Sequence, residues 1–178
     1  MSPFNEQTVV RRAAGALASS LLALCAAGAH AQAADWQSSV PACVPADPGT
    51  LANTQIAPPT FAFVRAPFGP GGPNPPPYTY LCNVLDSYAV VSPAWNWLQL
   101  QFNSPVAGSV TAQLFSKNKV TGAVAPVALV ANPASGGVAV AQVPVPPLNF
   151  AINAYYVAVT LLPQPNFRVQ AHMVTLAQ

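Results

Sequence analysis

Proline is the residue that most restricts how this chain can fold. The sequence has 21 prolines among 178 residues, whereas the usual share is about 5%. Because an interior proline costs a helix about 3 kcal/mol, prolines spread in this way exclude long helices. Disorder is disfavoured as well, since 52% of the residues are hydrophobic and only 6% are charged. The composition therefore predicts one β-rich domain of ordinary size.

The first part of the chain has the features of a secretory signal peptide. Arg11 and Arg12 precede an uncharged stretch over residues 13–28, and two overlapping small-x-small sites follow. A basic start, a short apolar stretch and such a site define a cleavable signal. Cleavage after Ala31 or after Ala33 fits this pattern, and cleavage after Ala33 is favoured. The alternative is an uncleaved anchor, but the second half of the stretch is rich in Ala, Gly, His and Gln and is weakly apolar for a membrane span.

We therefore predict that residues 1–33 are a signal peptide and that the mature protein is secreted or periplasmic. The mature chain would not span a membrane, and it would keep two cysteines, Cys43 and Cys82. In an exported protein an even number of cysteines indicates a disulfide. A Cys43–Cys82 bond would close a loop of about 39 residues and contribute about 4 kcal/mol by the chain-entropy estimate.

The mature chain divides by composition into a proline-rich segment and a segment of regular strands. We predict that residues 34–77 form an arm and loops tethered by the disulfide, with a stiff proline-rich loop over residues 67–77. Residues 78–178 would be the core, and the arm and the core would form one domain. Alternation of apolar and polar residues with period two marks half-buried strands. It places strands at residues 97–102, 108–116, 155–161 and 167–173. Apolar runs of strand length indicate two more at 124–131 and 137–143, and residues 61–64 are strand-like.

Strands of this length separated by turns predict an all-β fold, an antiparallel β-sandwich of the jelly-roll or Ig-like kind. A sheet of about eight strands closed on itself is the competing arrangement. The alternation also predicts which side chains face inward. These are Leu98, Leu100 and Phe102 in one strand, Val110, Ala112 and Leu114 in the next, and Phe167, Val169, Ala171 and Met173 in the last. His172 would lie with Arg168 and Gln170 on the polar side of an edge-like final strand.

Groups that could perform catalysis are scarce. The mature chain would contain one histidine, His172, and three acids, Asp35, Asp47 and Asp86. It has no Gly-x-Ser-x-Gly elbow, and two of its three carboxylates lie in the arm rather than in the core. Zinc needs three or four ligands, and neither an Asp-x-Asp calcium pattern nor a phosphate-binding glycine loop occurs. We predict no enzyme, no metal and no cofactor.

The candidate ligand-binding residues are Trp95, Trp97 and Gln99. They occupy the alternate positions that the inward residues of the strand at 97–102 leave free. Both tryptophans would therefore lie on the outer face. An exposed indole offers a flat apolar body with an N–H group, which suits a sugar ring or a partner surface. The alternative is that a loop covers the tryptophans, or that the parity shifts near Pro93.

Three segments carry a resemblance to known proteins. VTAQLFSKNKVTGA, NFAINAYYVAVTLL and RVQAHMVTL resemble the C-terminal half of small secreted bacterial β-sandwich proteins, which have no assigned biochemical role. The resemblance spans about half of the mature chain and implies the fold without implying any functional residue. The chain also resembles pilus subunits, which are exported, all-β and carry one disulfide in the N-terminal half. It lacks the tyrosine near the C-terminus that pilus subunits typically have.

These observations predict an exported, non-catalytic β-sandwich that acts in protein interaction or in the structure of the cell envelope. Low charge leaves the sheet edges with few charged residues to prevent strand pairing, which favours a protein partner. The alternative is a carbohydrate-binding module that uses Trp95 and Trp97, and a pilus-subunit-like role is more distant. The predicted partner is an envelope or extracellular protein, or a glycan. Nucleic acid is excluded because a net charge of +2 provides no clustered basic face.

Overall fold

A computed structural model describes residues 34–48, 54–57, 61–64, 76–85, 92–164 and 167–178. All of them belong to one compact unit, Ala33–Gln178. The predicted signal peptide and residues 67–75 of the predicted proline-rich loop lie outside the described residues. The strands are β1 (Trp36–Ser39), β2 (Val44–Pro45), β3 (Thr54–Ala57), β4 (Phe61–Val64), β5 (Tyr78–Val84), β6 (Trp97–Asn103), β7 (Val110–Asn118), β8 (Val124–Ala131), β9 (Ala139–Pro144), β10 (Asn153–Leu161) and β11 (Gln170–Ala177), with a short 3-10 turn at Val40–Ala42.

The strands form two antiparallel sheets packed as a β-sandwich, which confirms the predicted fold class. The five-stranded sheet has the order β2-β5-β10-β7-β8, and the six-stranded sheet has the order β3-β4-β11-β6-β9. β1 also belongs to the six-stranded sheet, because it pairs with β11 alongside β4. In the described part of the chain, no helix has the length and apolar character needed to cross a membrane.

The core lies between the two sheets and is built from alternate residues of each strand. The inward sets predicted for β6 and β7 are confirmed, since all six side chains are completely buried. Removing this apolar surface from water is the main contribution to the stability of such a sandwich. Trp95, Tyr80 and Leu148 are among the other large buried residues, so the loop between β9 and β10 also closes over the core.

The final strand differs from the prediction in position and in parity. β11 lies between β6 on one side and β1 and β4 on the other, so it is an interior strand and not an edge. The pairing register shifts between Ala171 and Met173. Such a bulge inserts one residue and reverses the inward parity. Val174 is therefore buried and Met173 is only half-buried. Phe167 is 47% exposed because it precedes β11 and forms only an isolated bridge with Gln164. The predicted inward positions of Met173 and Phe167 are wrong.

The segment predicted as an arm and loops contributes strands to both sheets. β1 joins the six-stranded sheet and β2 joins the edge of the five-stranded sheet. The predicted disulfide is confirmed: Cys43 and Cys82 are bonded, with their Cα atoms 4.6 Å apart. Cys43 lies where the chain passes from one sheet to the other, and Cys82 lies on β5. The disulfide therefore fastens this crossing segment to the five-stranded sheet.

A buried polar cluster holds one end of the sandwich together. The side-chain oxygen of Asn132 accepts a hydrogen bond from the backbone N–H of Val110 at 2.7 Å, and its Nδ2 donates to the carbonyl oxygen of Val106 at 2.8 Å. The hydroxyls of Ser104 and Ser109 lie 2.6 Å apart in the same cluster. Buried polar groups are stable only when they are paired in this way, so we assign this cluster a structural role.

Candidate functional site

The outer face of the five-stranded sheet carries an aromatic pair at its centre. The strand registers place one residue from each of four strands in a single row: Asn83, Tyr156, Phe115 and Pro126. The rings of Phe115 and Tyr156 are stacked, with centroids 5.2 Å apart and planes inclined by 14°. Both side chains are half-buried and remain accessible from outside.

Small residues flank Tyr156 on this face. Ala154 and Ala158 flank Tyr156 on β10, and residues two apart on a strand point to the same face. An alanine side chain is a single methyl group, so space remains on both sides of the larger ring. The depression therefore follows directly from the outward sequence of β10, in which small, aromatic and small residues succeed one another.

An open groove of about 490 Å³ occupies this depression. Its described lining residues are Val44, Leu81, Asn83, Lys117, Val124 and Tyr156. The walls are apolar, because Val44 is 67% exposed and Val124 is 52% exposed at the two sides. The polar groups of the described lining are the amide of Asn83, the ammonium of Lys117 and the phenol hydroxyl of Tyr156. A mostly apolar, concave surface with a few polar groups is typical of ligand sites.

The two ends of this sheet face differ in charge. Lys117 lies in the row beyond the aromatic pair, between Ala154 and Val124. At the other end the hydroxyls of Thr79 and Thr160 lie 3.1 Å apart. Burial raises the pKa of the nearby Tyr78 phenol, and the negative charge of Asp47 adds to the rise. We name the end with Thr79 and Thr160 the threonine end. The carboxylate of Asp47 is therefore associated with the threonine end, and Lys117 lies at the opposite end.

Trp95 does not lie on the outer face, so the prediction of an exposed tryptophan pair is wrong. Its side chain is 1% exposed. The indole Nε1 donates a hydrogen bond to the carbonyl oxygen of Ala34 at 3.1 Å, and the ring meets Phe150 edge to face at 6.1 Å. The parity argument fails because β6 begins only at Trp97. Trp95 precedes the strand, and loop residues cover it.

Trp97 and Gln99 do lie on an outer face, but on the opposite sheet from the groove. Trp97 is half-buried at the start of β6. The Gln99 side-chain amide donates a hydrogen bond to the Oε1 of Gln142 at 3.2 Å. The registers extend this pair into a row across four strands with Thr175 and Gln37. We name this surface the amide face, and ligand binding by Trp97 and Gln99 remains a prediction.

His172 lies at the bulge of β11, in the six-stranded sheet, and so does not contribute to the groove. Burial lowers the pKa of its imidazole. Among the residues that the structure describes, no group of three or more His, Cys, Asp or Glu is placed to hold a metal ion. The groups that the groove offers to a ligand are the ring and hydroxyl of Tyr156, the amide of Asn83 and the ammonium of Lys117.

Sequence reasoning missed Phe115 as a surface residue, although a signal was present. The outward positions of β7 run from Thr111 and Gln113 to Phe115, which places an aromatic residue among polar ones. Ser109 has the same parity but is buried in the polar cluster. For the pair Tyr155 and Tyr156, one ring must face each way. The structure buries Tyr155, which is 4% exposed, and leaves Tyr156 on the outer face.

Comparisons with known proteins add little to this geometry. No protein-family model matches the chain, and no curated protein matches it. Among solved structures, the chain is similar to the CBM36-1 domain of a multidomain xylanase from the hindgut metagenome of Trinervitermes trinervoides, with a TM-score of 0.43 and 7% sequence identity. The match covers 82% of this chain and 98% of that domain. A similarity at this level transfers neither a ligand nor a residue role, and the two sheets described above are what define the fold class.

Proposed function

We propose that this protein is a non-catalytic binding module that takes a glycan in the groove of the five-stranded sheet. The observation that carries the proposal is the stacked pair of Tyr156 and Phe115 beside the amide of Asn83. A sugar ring has an apolar C–H face and a rim of hydroxyls. The flat ring of Tyr156 suits that face, and the amide of Asn83 can both donate to and accept from hydroxyls.

The aromatic pair is held rigidly, which favours binding. β10 lies between β5 and β7 in the sheet, so Tyr156 is supported by paired strands on both sides. Phe115 packs against one face of the Tyr156 ring and fixes its orientation. A side chain that is already ordered loses less conformational entropy when a ligand binds. The described lining offers neither a carboxylate nor an imidazole for acid–base catalysis, so binding is the proposed role.

Calorimetric titration with a panel of oligosaccharides tests this function. We expect Tyr156→Ala to weaken binding at least about tenfold, because the stacking surface is lost. Trp97→Ala is the matched control, since it removes an aromatic side chain from the amide face of the other sheet. Loss of binding in Trp97→Ala with full binding in Tyr156→Ala would instead assign the ligand to Trp97 and Gln99.

A protein partner is the second candidate function, and it rests on the open edges of the sandwich. In the described part of the chain, β8 and β9 are the outer strands on one side of the two sheets. Exposed apolar residues accompany these edges: Leu129 is 53% exposed, Val138 58% and Val140 57%. Unpaired strand edges of this kind are templates for pairing with another chain.

Placing a charge on β9 tests whether a protein partner pairs with this edge. Val140→Lys should abolish capture of an envelope or extracellular protein while leaving glycan binding unchanged, because charged edge residues oppose strand pairing. Capture that survives this substitution would contradict pairing at β9. With either function we propose a location outside the cytoplasm, in the periplasm or beyond it. The disulfide between Cys43 and Cys82 supports that location, since cytosolic thiols are kept reduced.

A further inference from the structure

We propose that the glycan bound in the groove is acidic, and that Lys117 binds its negatively charged substituent. This inference rests on the proposed function and names the ligand class of the same site. Lys117 is the charged residue among the described lining residues of the groove. The shared chemistry is an anionic group on a sugar, either a uronic acid carboxylate or a sulfate ester.

The position of Lys117 relative to Tyr156 fits a sugar-sized ligand. Lys117 pairs with Ala154, whereas Tyr156 pairs with Phe115, so Lys117 and Tyr156 are diagonal neighbours on adjacent strands. Diagonal neighbours in an antiparallel sheet are about 7–8 Å apart. A ring stacked on Tyr156 can therefore direct its own substituent, or that of the next ring, toward the Lys117 ammonium.

The surroundings of Lys117 leave its charge available to a ligand. Its direct cross-strand neighbours are Ala154 and Val124, whose side chains accept no hydrogen bond. Lys119, two residues further along the chain, is used differently. Its ammonium donates a hydrogen bond to the backbone carbonyl of Phe150 at 2.6 Å.

The described acidic residues lie away from Lys117. Asp35 accepts a hydrogen bond from the backbone N–H of Gln178. The negative charge of Asp47 adds to the rise in the pKa of Tyr78, near the threonine end of the sheet face. From the row of Thr79 to the row of Lys117 is six residues along the strands, or about 20 Å. That distance is about two and a half times the screening length of about 8 Å at physiological salt, so Asp47 offsets little of the potential at Lys117.

A matched pair of ligands tests the inference. The probes are oligogalacturonate and its fully methyl-esterified form, which have the same backbone and differ in charge. We expect the parent protein to bind the acidic form about fivefold more tightly at low salt, which corresponds to about 1 kcal/mol. The preference should shrink as salt is added, because exposed charges are screened. A sulfated oligosaccharide and its desulfated form provide a second arm that distinguishes the two sources of charge.

Lys117→Gln should remove the preference for the charged form over the neutral form. Arg168→Gln is the control, since it makes the same change in net charge near the start of β11 in the other sheet. Equal binding of charged and neutral forms by the parent protein, or a preference that persists in Lys117→Gln, would overturn the inference while the proposed function stands. A preference reduced equally by Arg168→Gln would also overturn it. Failure of every oligosaccharide to bind would instead overturn the proposed function.

Discussion

The indole of Trp95 and the carbonyl of Ala34 are joined by a hydrogen bond of 3.1 Å, which ties the first described residue to the buried core. The following residue, Asp35, accepts a hydrogen bond from the backbone of Gln178 at 3.1 Å. The two ends of the described chain are thus held close to each other. A chain cut just before Ala34 would keep both contacts and the whole of β1.

We predict that the protein is exported and that cleavage of its signal peptide leaves a chain beginning at Ala34. Signal peptidase cleaves after small residues, and a cut after Ala33 leaves the hydrogen bonds of Ala34 and Asp35 in place. Intact-mass measurement of protein isolated from culture medium or from the periplasm checks this. A start after Trp36 would contradict the prediction, since it would remove part of a paired strand.

Replacing both disulfide cysteines with alanine should lower the free energy of unfolding by about 4 kcal/mol. The bond closes a loop with a sequence separation of 39 residues, and without it the unfolded chain gains conformational freedom. Urea denaturation of the double variant, compared with the parent protein under oxidising and reducing conditions, measures the difference. A double variant as stable as the oxidised parent would show that the bond contributes nothing to stability.

Asn132→Ala should destabilise the protein by about 2 kcal/mol, because it leaves the buried backbone N–H of Val110 without its partner. Asn149→Ala is the control. Asn149 is exposed, and its side chain accepts a hydrogen bond from the backbone of Ala151 that water can replace. We expect the control to cost less than about 1 kcal/mol by thermal or urea denaturation. Similar losses for the two variants would contradict a special role for the buried cluster.

Stability should fall as the pH is lowered from neutrality, and His172 should contribute to the fall. Burial lowers the pKa of the folded-state imidazole below its ordinary value of 6.5. Between the folded and unfolded pKa values the unfolded chain binds the extra proton, so acid favours unfolding. The contribution is fully present above pH 6.5 and is lost as the pH falls toward the folded pKa. Urea midpoints measured from pH 7.5 to 5 should change less in His172→Asn than in the parent, and identical pH dependence would contradict this.

The strands of the core were predictable because their signal is local. In β6 and β7 the alternation alone identifies which side chains are buried, and the structure buries those residues. The pairing of β1 with the end of β11 has no such signal, because it joins Trp36 to Leu176 across almost the whole described chain. The bulge at His172 could not be predicted from local sequence either, since it arises from the pairing of β11 with its neighbour β6.

The candidate site was less predictable than the fold for the same physical reason. Phe115 and Tyr156 form a pair only because the register of β7 and β10 places them opposite each other. Trp95 was misplaced because a parity rule applies only within a strand, and β6 starts two residues later. An outward aromatic residue can be found from local alternation, whereas its partner and its groove require the sheet.

The disulfide also has a consequence for the ligand. Val44 follows Cys43 directly and forms a wall of the groove, yet β2 pairs with β5 through only Val44 and Pro45. So short a ladder holds this wall weakly by itself, and the covalent bond to Cys82 keeps it against Leu81. Ligand affinity should therefore follow the redox state of the compartment. A chain retained in a reducing cytosol would lose one wall of the proposed groove, while Tyr156 and Phe115 would stay in place between their paired strands.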